Sequence, residues 1–258
     1  MPFTLAHPAA VLPFRWFAAS YTSLCALVIG SMSPDFVYFF RFGVTGAFSH
    51  SLPGLFQFCV PASLAAYVAY YLFLRQPLIA LLPGAIASRL SPQPDWIPTS
   101  MTSAVMILAS VLIGAATHIG WDAFTHGNTL VARHVDVLRT PLILYAGKTV
   151  PLYNVLQHAS SVLGLLMLGA CVLRWMRRTP RRYTWPTVTQ GARTAVCAAI
   201  LIAGTGGAVA RAMHRPARTF EHFIFNGVVG AMAAMMLALL VYCALWHLRS
   251  LQKSLMNR

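Results

Sequence analysis

The sequence predicts an all-α, polytopic membrane protein with about five to six transmembrane helices. Three observations carry this. Mean hydropathy is +0.66 and only 9% of residues are charged, which does not suit a soluble globular domain. The stretches Leu52–Leu74, Met101–Gly120, Val155–Trp175, Arg193–Ala210 and Phe223–Trp246 each approach or exceed the ~20 residues that cross a bilayer. The formal net charge of +14 gathers between those stretches, as in Arg174-Trp175-Met176-Arg177-Arg178-Thr179-Pro180-Arg181-Arg182, the pattern of loops that face anionic headgroups. No nucleic-acid motif accompanies the basic residues, so the expected partner is membrane lipid and not nucleic acid.

Each element follows in order. Residues 1–16, punctuated by Pro2, Pro8 and Pro13, read as a short interfacial helix. They lack the basic region and continuous apolar stretch of a signal peptide, so the first helices are expected to direct insertion. Residues 18–32 are apolar but too short to span, and Ser33-Pro34-Asp35 stops them. A half-length helix is tolerated at membrane depth when it packs against protein. As a hairpin, it would bring His7 to the same side as Asp35. Leu52–Leu74 is the first span. Residues 75–100 form a proline-rich loop with a short apolar stretch at Leu78–Ala87. Met101–Gly120 is the second span, 121–154 a polar connection, and Val155–Trp175 the third span. Arg193–Ala210 and Phe223–Trp246 form a last pair. Residues 1–175 are thus expected as a helical membrane core, and 176–258 as a C-terminal helix pair with basic loops.

Four polar islands interrupt this apolar chain: Thr4-Leu5-Ala6-His7-Pro8, Ser33-Pro34-Asp35, Phe48-Ser49-His50-Ser51 and the run from Thr117 to His126. Histidine and aspartate are ligands of divalent transition metals, and ionisable residues in membrane segments mark function. Of five carboxylates (Asp35, Asp95, Asp122, Asp136 and Glu221) two fall in these islands. His118 and Asp122 stand four apart and share a helix face. His126 continues that stripe if the helix reaches it, with Gly127-Asn128 as the stop. Alternating crossings put Asp35, His50, His118, Asp122 and His158 on one membrane face. The positive-inside rule makes it the outer face of the inner membrane, although Arg211, Arg215 and Arg218 then lie outside too.

The candidate metal ligands are His7, Asp35, His50, His118, Asp122 and His126, with Asp35 and Asp122 as candidate catalytic carboxylates. Ser51 and Thr125 are candidate hydrogen-bond partners of the ligands. Each fragment alone has a plainer reading. A His-x-x-x-Asp pair is commonly a helix-surface pair, Pro-Asp a helix stop, and His50 a capping neighbour. His158 suits core hydrogen bonding as well as ligation. The five cysteines are dispersed and read as small core residues.

The segments Met1–Ala10, Gly30–Asp35, Ser49–Gly54 and Gly114–Asp122 resemble the bacterial membrane family called domain of unknown function 4184. More distantly they resemble inner-membrane metal-dependent hydrolases and, through these, the zinc-dependent phospholipase C fold. The resemblance implies a phospholipase C-like helical core, with Asp35, His50, His118 and Asp122 as core ligands and His7 on a neighbouring metal. Met1-Pro2 and the lack of any Glu before Glu221 depart from that pattern, so one or two metals are expected, not three.

Three readings follow. The first is a hydrolase using a divalent metal, zinc by expectation, on a lipid-borne ester or phosphoester, with Arg41 near a phosphate or snorkelling. The second is a non-enzymatic membrane protein with a structural His/Asp cluster. The third is an ion-coupled transporter, weakened by the lack of inverted repeats.

Overall fold

The computed structural model describes residues 3–39, 44–92, 98, 100–145, 148–215 and 219–256. Arg41 lies outside the described residues. The fold is helical, as the hydropathy pattern demands, and five helices are long and apolar enough to cross a membrane. In order these are α2 (Leu52–Leu81), α3 (Met101–Thr125), α4 (Leu152–Arg178), α5 (Gln190–His214) and α6 (Phe220–Met256). The half-length helix before them is α1 (Leu24–Met32), and the chain opens on a 3-10 helix, Thr4–Val11. Among the described residues, the departure from all-α is a two-stranded antiparallel hairpin, β1 (Pro141–Tyr145) with β2 (Lys148–Pro151), in the connection between α3 and α4.

The chain forms two compact units. One comprises Met1–Val37, Phe42–Tyr67 and Ile97–Arg178; the other comprises Tyr38–Arg41, Val68–Trp96 and Thr179–Arg258.

In the first unit α1 packs on α3 through glycine. A Cβ on Gly30 would collide with the Val111 backbone, and one on Gly114 with the backbone of Leu27 and Ser31. Small residues at these positions let two backbones touch where lipid supplies no hydrophobic drive between helices. Ser110 adds a polar tie by accepting a hydrogen bond from the Ser23 amide at 2.9 Å. The α1–α3 contact therefore fixes the end of α1, where Ser33-Pro34-Asp35 forms a buried 3-10 turn.

α2 runs beyond the expected Leu74, to Leu81, despite Pro61 and Pro77. A π turn at Tyr70–Leu74 leads directly into the α-helical stretch Arg75–Leu81, in which Pro77 stands. Proline has no amide and leaves a carbonyl of the preceding turn without its helical partner. The Phe73 carbonyl that a residue-77 amide would have met receives a hydrogen bond from His247 Nε2 at 2.9 Å instead. In the second unit Gly207 and Gly230 bring the α5 and α6 backbones into direct contact. The segment after Thr179 is tied down by the Arg182 and Tyr183 amides, which both donate to the Ser88 carbonyl.

Candidate metal centre

Four separate stretches of the first unit deliver the site, and each is locally determined. On the amino-terminal helix, Thr4 and His7 stand three residues apart. A 3-10 helix has three residues per turn, so both point the same way. Asp35 ends the turn after α1. His50 caps a short helix, Gly46–Ser49, whose first turn is capped by Thr45, and Ser51 starts α2 by accepting from the Gly54 amide. Gly54 lets that loop fold flat onto α2, because a Cβ there would strike the Phe48 carbonyl. His118 and Asp122 lie one above the other near the end of α3.

These stretches converge. His118 and Asp35 are fully buried, and His7 and Asp122 are buried to within 4%. His50 Nε2 lies 3.4 Å from Asp35 Oδ1 and 3.4 Å from Asp122 Oδ2. His118 Nε2 lies 3.8 Å from Asp35 Oδ1 and 3.4 Å from Asp122 Oδ2. Donors around a zinc-sized ion, at about 2.0–2.2 Å from it, stand about 3.3–3.6 Å apart when tetrahedral. The three 3.4 Å spacings fall in that range, and the His118–Asp35 spacing is wider. His7 approaches from the other side of Asp122, with Nε2 3.6 Å from Oδ1. The His7 ring also stacks on His118. His7, Asp35 and His118 form one potential ligand group, and His50, His118 and Asp122 a second.

The hydrogen bonds around the cluster orient its donors. His118 Nδ1 is 2.7 Å from the Ser31 carbonyl and His50 Nδ1 is 2.9 Å from the Gly46 carbonyl. A carbonyl only accepts, so both Nδ1 atoms carry hydrogen and both Nε2 atoms are turned inward, toward the carboxylates. Thr4 Oγ1 donates to Asp35 Oδ2 at 2.5 Å and leaves Oδ1 for the centre. His7 Nε2, Asp35 Oδ1, His118 Nε2 and Asp122 Oδ1 are then buried without a hydrogen-bond partner among the described residues. Buried polar atoms are normally satisfied. Such a set of donors could hold a metal ion, and its two carboxylates favour a positive charge beside them.

The electrostatics outside the spans agree. Burial, reinforced by nearby His118, pushes His7 down to about 3, so its ring is an uncharged donor at neutral pH. Burial also opposes charge on His50, but hydrogen bonds to Asp122 and Asp35 outweigh it and push His50 up to about 10. The carboxylate pair thus draws a cation, and in the absence of metal it draws a proton.

The structure brings His7, Asp35, His50, His118 and Asp122 together. His126 lies beside them but in neither potential ligand group. α3 ends at Thr125 and His126 has extended backbone, so the stripe breaks one residue early. His126 Nδ1 is 3.1 Å from the Asp122 carbonyl and 3.7 Å from Asp122 Oδ1, so that nitrogen is a backbone donor. His158 lies on an exposed part of α4. Ser51 caps α2 and Thr125 bonds to the Trp121 carbonyl. The partners that do reach the ligands are Thr4, Ser49 and two backbone carbonyls. The Thr4-x-x-His7 spacing was a readable signal for the first, whereas backbone partners leave no mark in a sequence.

A family model described as domain of unknown function (DUF4184) matches residues 1–244. No curated protein and no solved structure matches the chain. The more distant likeness to metal-dependent hydrolases and a phospholipase C-like core therefore stays an expectation of the sequence.

Proposed function

From the premise that the chain belongs to the DUF4184 family, and from its donor geometry, we propose that it is an integral membrane, metal-dependent hydrolase acting on a lipid-borne ester or phosphoester. The observation that supports this best is that buried histidine and aspartate donors gather in two adjoining groups that share His118. Asp35, His50, His118 and Asp122 would hold the metal. A mixed imidazole–carboxylate set suits zinc, and also manganese or iron. When bound, such an ion polarises a carbonyl or phosphoryl group and lowers the pKa of water toward about 7.

The chain's own residues divide the remaining work. Thr4 occupies the outer oxygen of Asp35, so Asp35 is fixed as a ligand. Asp122 Oδ1 has no such donor and faces His7. Asp122 is accordingly the carboxylate that takes a proton from attacking water, with the uncharged His7 ring beside it. The Ser31 and Gly46 carbonyls hold the two imidazoles in one tautomer. The cluster lies at the start of α2 and near the end of α3, where a span meets the interface, and a substrate anchored in lipid reaches it there. The inner membrane, with the cluster on its outer face, is the setting that the basic loops support.

A structural metal centre is the second reading. It is favoured by the burial of the donors, since His118 and Asp35 have no exposed surface and catalytic sites usually keep one position open.

Elemental mass spectrometry on detergent-purified protein, beside Asp35→Ala and His118→Ala, tests the proposal. Stoichiometric metal lost in both variants is expected, with turnover of a lipid phosphoester or ester by the wild type. Absence of metal after re-addition would overturn it. Metal without turnover, together with unfolding of both variants, would establish the structural reading.

A further inference from the structure

Beside the cluster a half-open groove of about 310 Å³ runs between the amino-terminal helix, α3 and α4. Its size falls at the lower end of small-molecule sites, about 300–1,000 Å³. Its walls are apolar: Ala9 and Ala10 on one side, Leu163 and Met167 on another, and Trp121 on a third. Among the lining residues, polar atoms are brought by His7, Ser160 and the indole of Trp121. The groove exists because small residues meet where α4 crosses the amino-terminal helix. A Cβ on Gly164 would lie 3.0 Å from the Ala6 carbonyl oxygen and 3.1 Å from the Ala6 Cβ. The two backbones therefore close the floor, and alanines leave the space above it unfilled.

The surroundings name the occupant. α3 and α4 both meet the criteria of a membrane span. On α4, Leu163 and Leu166 are each 65% exposed, so the face that borders the groove is one that meets lipid. Trp121, 41% exposed, has the amphipathic ring that settles at headgroup level. An apolar channel that opens sideways into hydrocarbon and ends at a histidine of the metal cluster fits a molecule with the same two parts.

We infer that this groove is the seat of the hydrocarbon tail of a membrane lipid, with the polar link of that lipid set at His7. The inference rests on the reading of a lipid-borne substrate and adds where and how the lipid is held. Ala9, Ala10, Leu163 and Met167 select a chain, and the His7 end sets which bond lies next to Asp122.

The test does not require metal or turnover. Chelator-treated full-length protein in vesicles of phosphatidylglycerol and phosphatidylethanolamine receives a trace of phospholipid with a diazirine on one acyl chain. After illumination, adducts are mapped by peptide mass spectrometry. Enrichment at Leu163, Met167 and Trp121 over the lipid-facing residues of α5 is expected. Ala10→Trp, which fills the groove from an exposed position, should abolish that enrichment and leave α5 labelling unchanged. Leu163→Trp provides the same block from α4, should either variant fold poorly. Equal labelling of α4 and α5, or enrichment that survives both blocks, would overturn the inference. A diazirine fatty acid run in parallel shows whether the headgroup contributes: labelling by the phospholipid alone is expected, and preference for the free acid would overturn placement of the polar link at His7. Failure of the metal reading would leave the adducts in place, so the two outcomes are separable.

Discussion

The imidazoles of His7 and His118 lie face to face, with ring centroids 3.5 Å apart and planes 9° from parallel. One ring rides on the opening 3-10 helix and the other on α3, yet both direct Nε2 toward the same two carboxylates. Stacking of this kind suits neutral rings, since two imidazolium ions so close in a buried site would repel. The pair is therefore arranged to donate lone pairs.

Thr4→Val keeps shape and removes the hydroxyl that occupies Asp35 Oδ2. Loss of such an outer partner lowers metal affinity by about 10–100-fold while every ligand remains. Chelator competition with the purified variant measures it, and unchanged affinity would show that Thr4 does not orient Asp35.

Metal binding should strengthen with pH. In the metal-free protein His50 is pushed up to about 10, so at neutral pH a metal must displace its proton. Affinity then climbs with pH until about 10, with proton release visible by calorimetry in buffers of different ionisation enthalpy. The sign for stability is opposite. His50 contributes to the metal-free fold fully below about 6.5, its unfolded value, and the contribution fades as pH rises from there through about 10. A metal-free melting temperature that rises over that interval would contradict this.

His126→Ala should retain metal at wild-type stoichiometry, because His126 Nδ1 is committed to the Asp122 carbonyl. His50→Ala should lose it. Elemental analysis of the two variants side by side decides the matter, and metal loss in His126→Ala would place that ring in the ligand set after all.

Asp122→Asn preserves volume and one ligating oxygen but removes the proton acceptor. Turnover should fall by about 10²–10⁴-fold, the usual contribution of general acid–base catalysis, with metal retained in part. Equal turnover would assign proton transfer elsewhere.

Gly114→Leu drives a side chain into the backbone of Leu27 and Ser31. Overpacking of this kind costs about 1–3 kcal/mol, and here it also shifts the Ser31 carbonyl away from His118. Both the melting temperature and metal content should drop. His247→Phe, in the other unit, leaves the Phe73 carbonyl unpaired at a cost of about 1–3 kcal/mol and should lower the melting temperature with metal content unchanged.

Hydropathy made the spans legible because crossing a bilayer demands a fixed apolar length, and all five expected spans are helices. Their ends were less legible. α2 overran Leu74 and Pro77, and the Phe73 carbonyl is met by His247, a tertiary contact with no compositional trace. His118 and Asp122 were readable as one face of α3 from spacing alone. His126 depended on whether the helix kept its twist for one more residue, and Gly127 with Asn128 just beyond pulled the end forward. The convergence of Asp35, His50 and His7 on that face was inferred from alternating crossings. The contact that enforces it, Gly30 on Gly114, belongs to tertiary packing and carries no motif of its own.

The donors come from positions 7, 35, 50, 118 and 122, and a ribosome delivers them in that order. At about 5–20 residues per second, α3 follows the opening helix by roughly ten seconds. Throughout that interval Asp35 has neither His118 nor Asp122 beside it. The donor set is complete only once α3 has been made, so any ion it holds would be bound late in the synthesis of this unit.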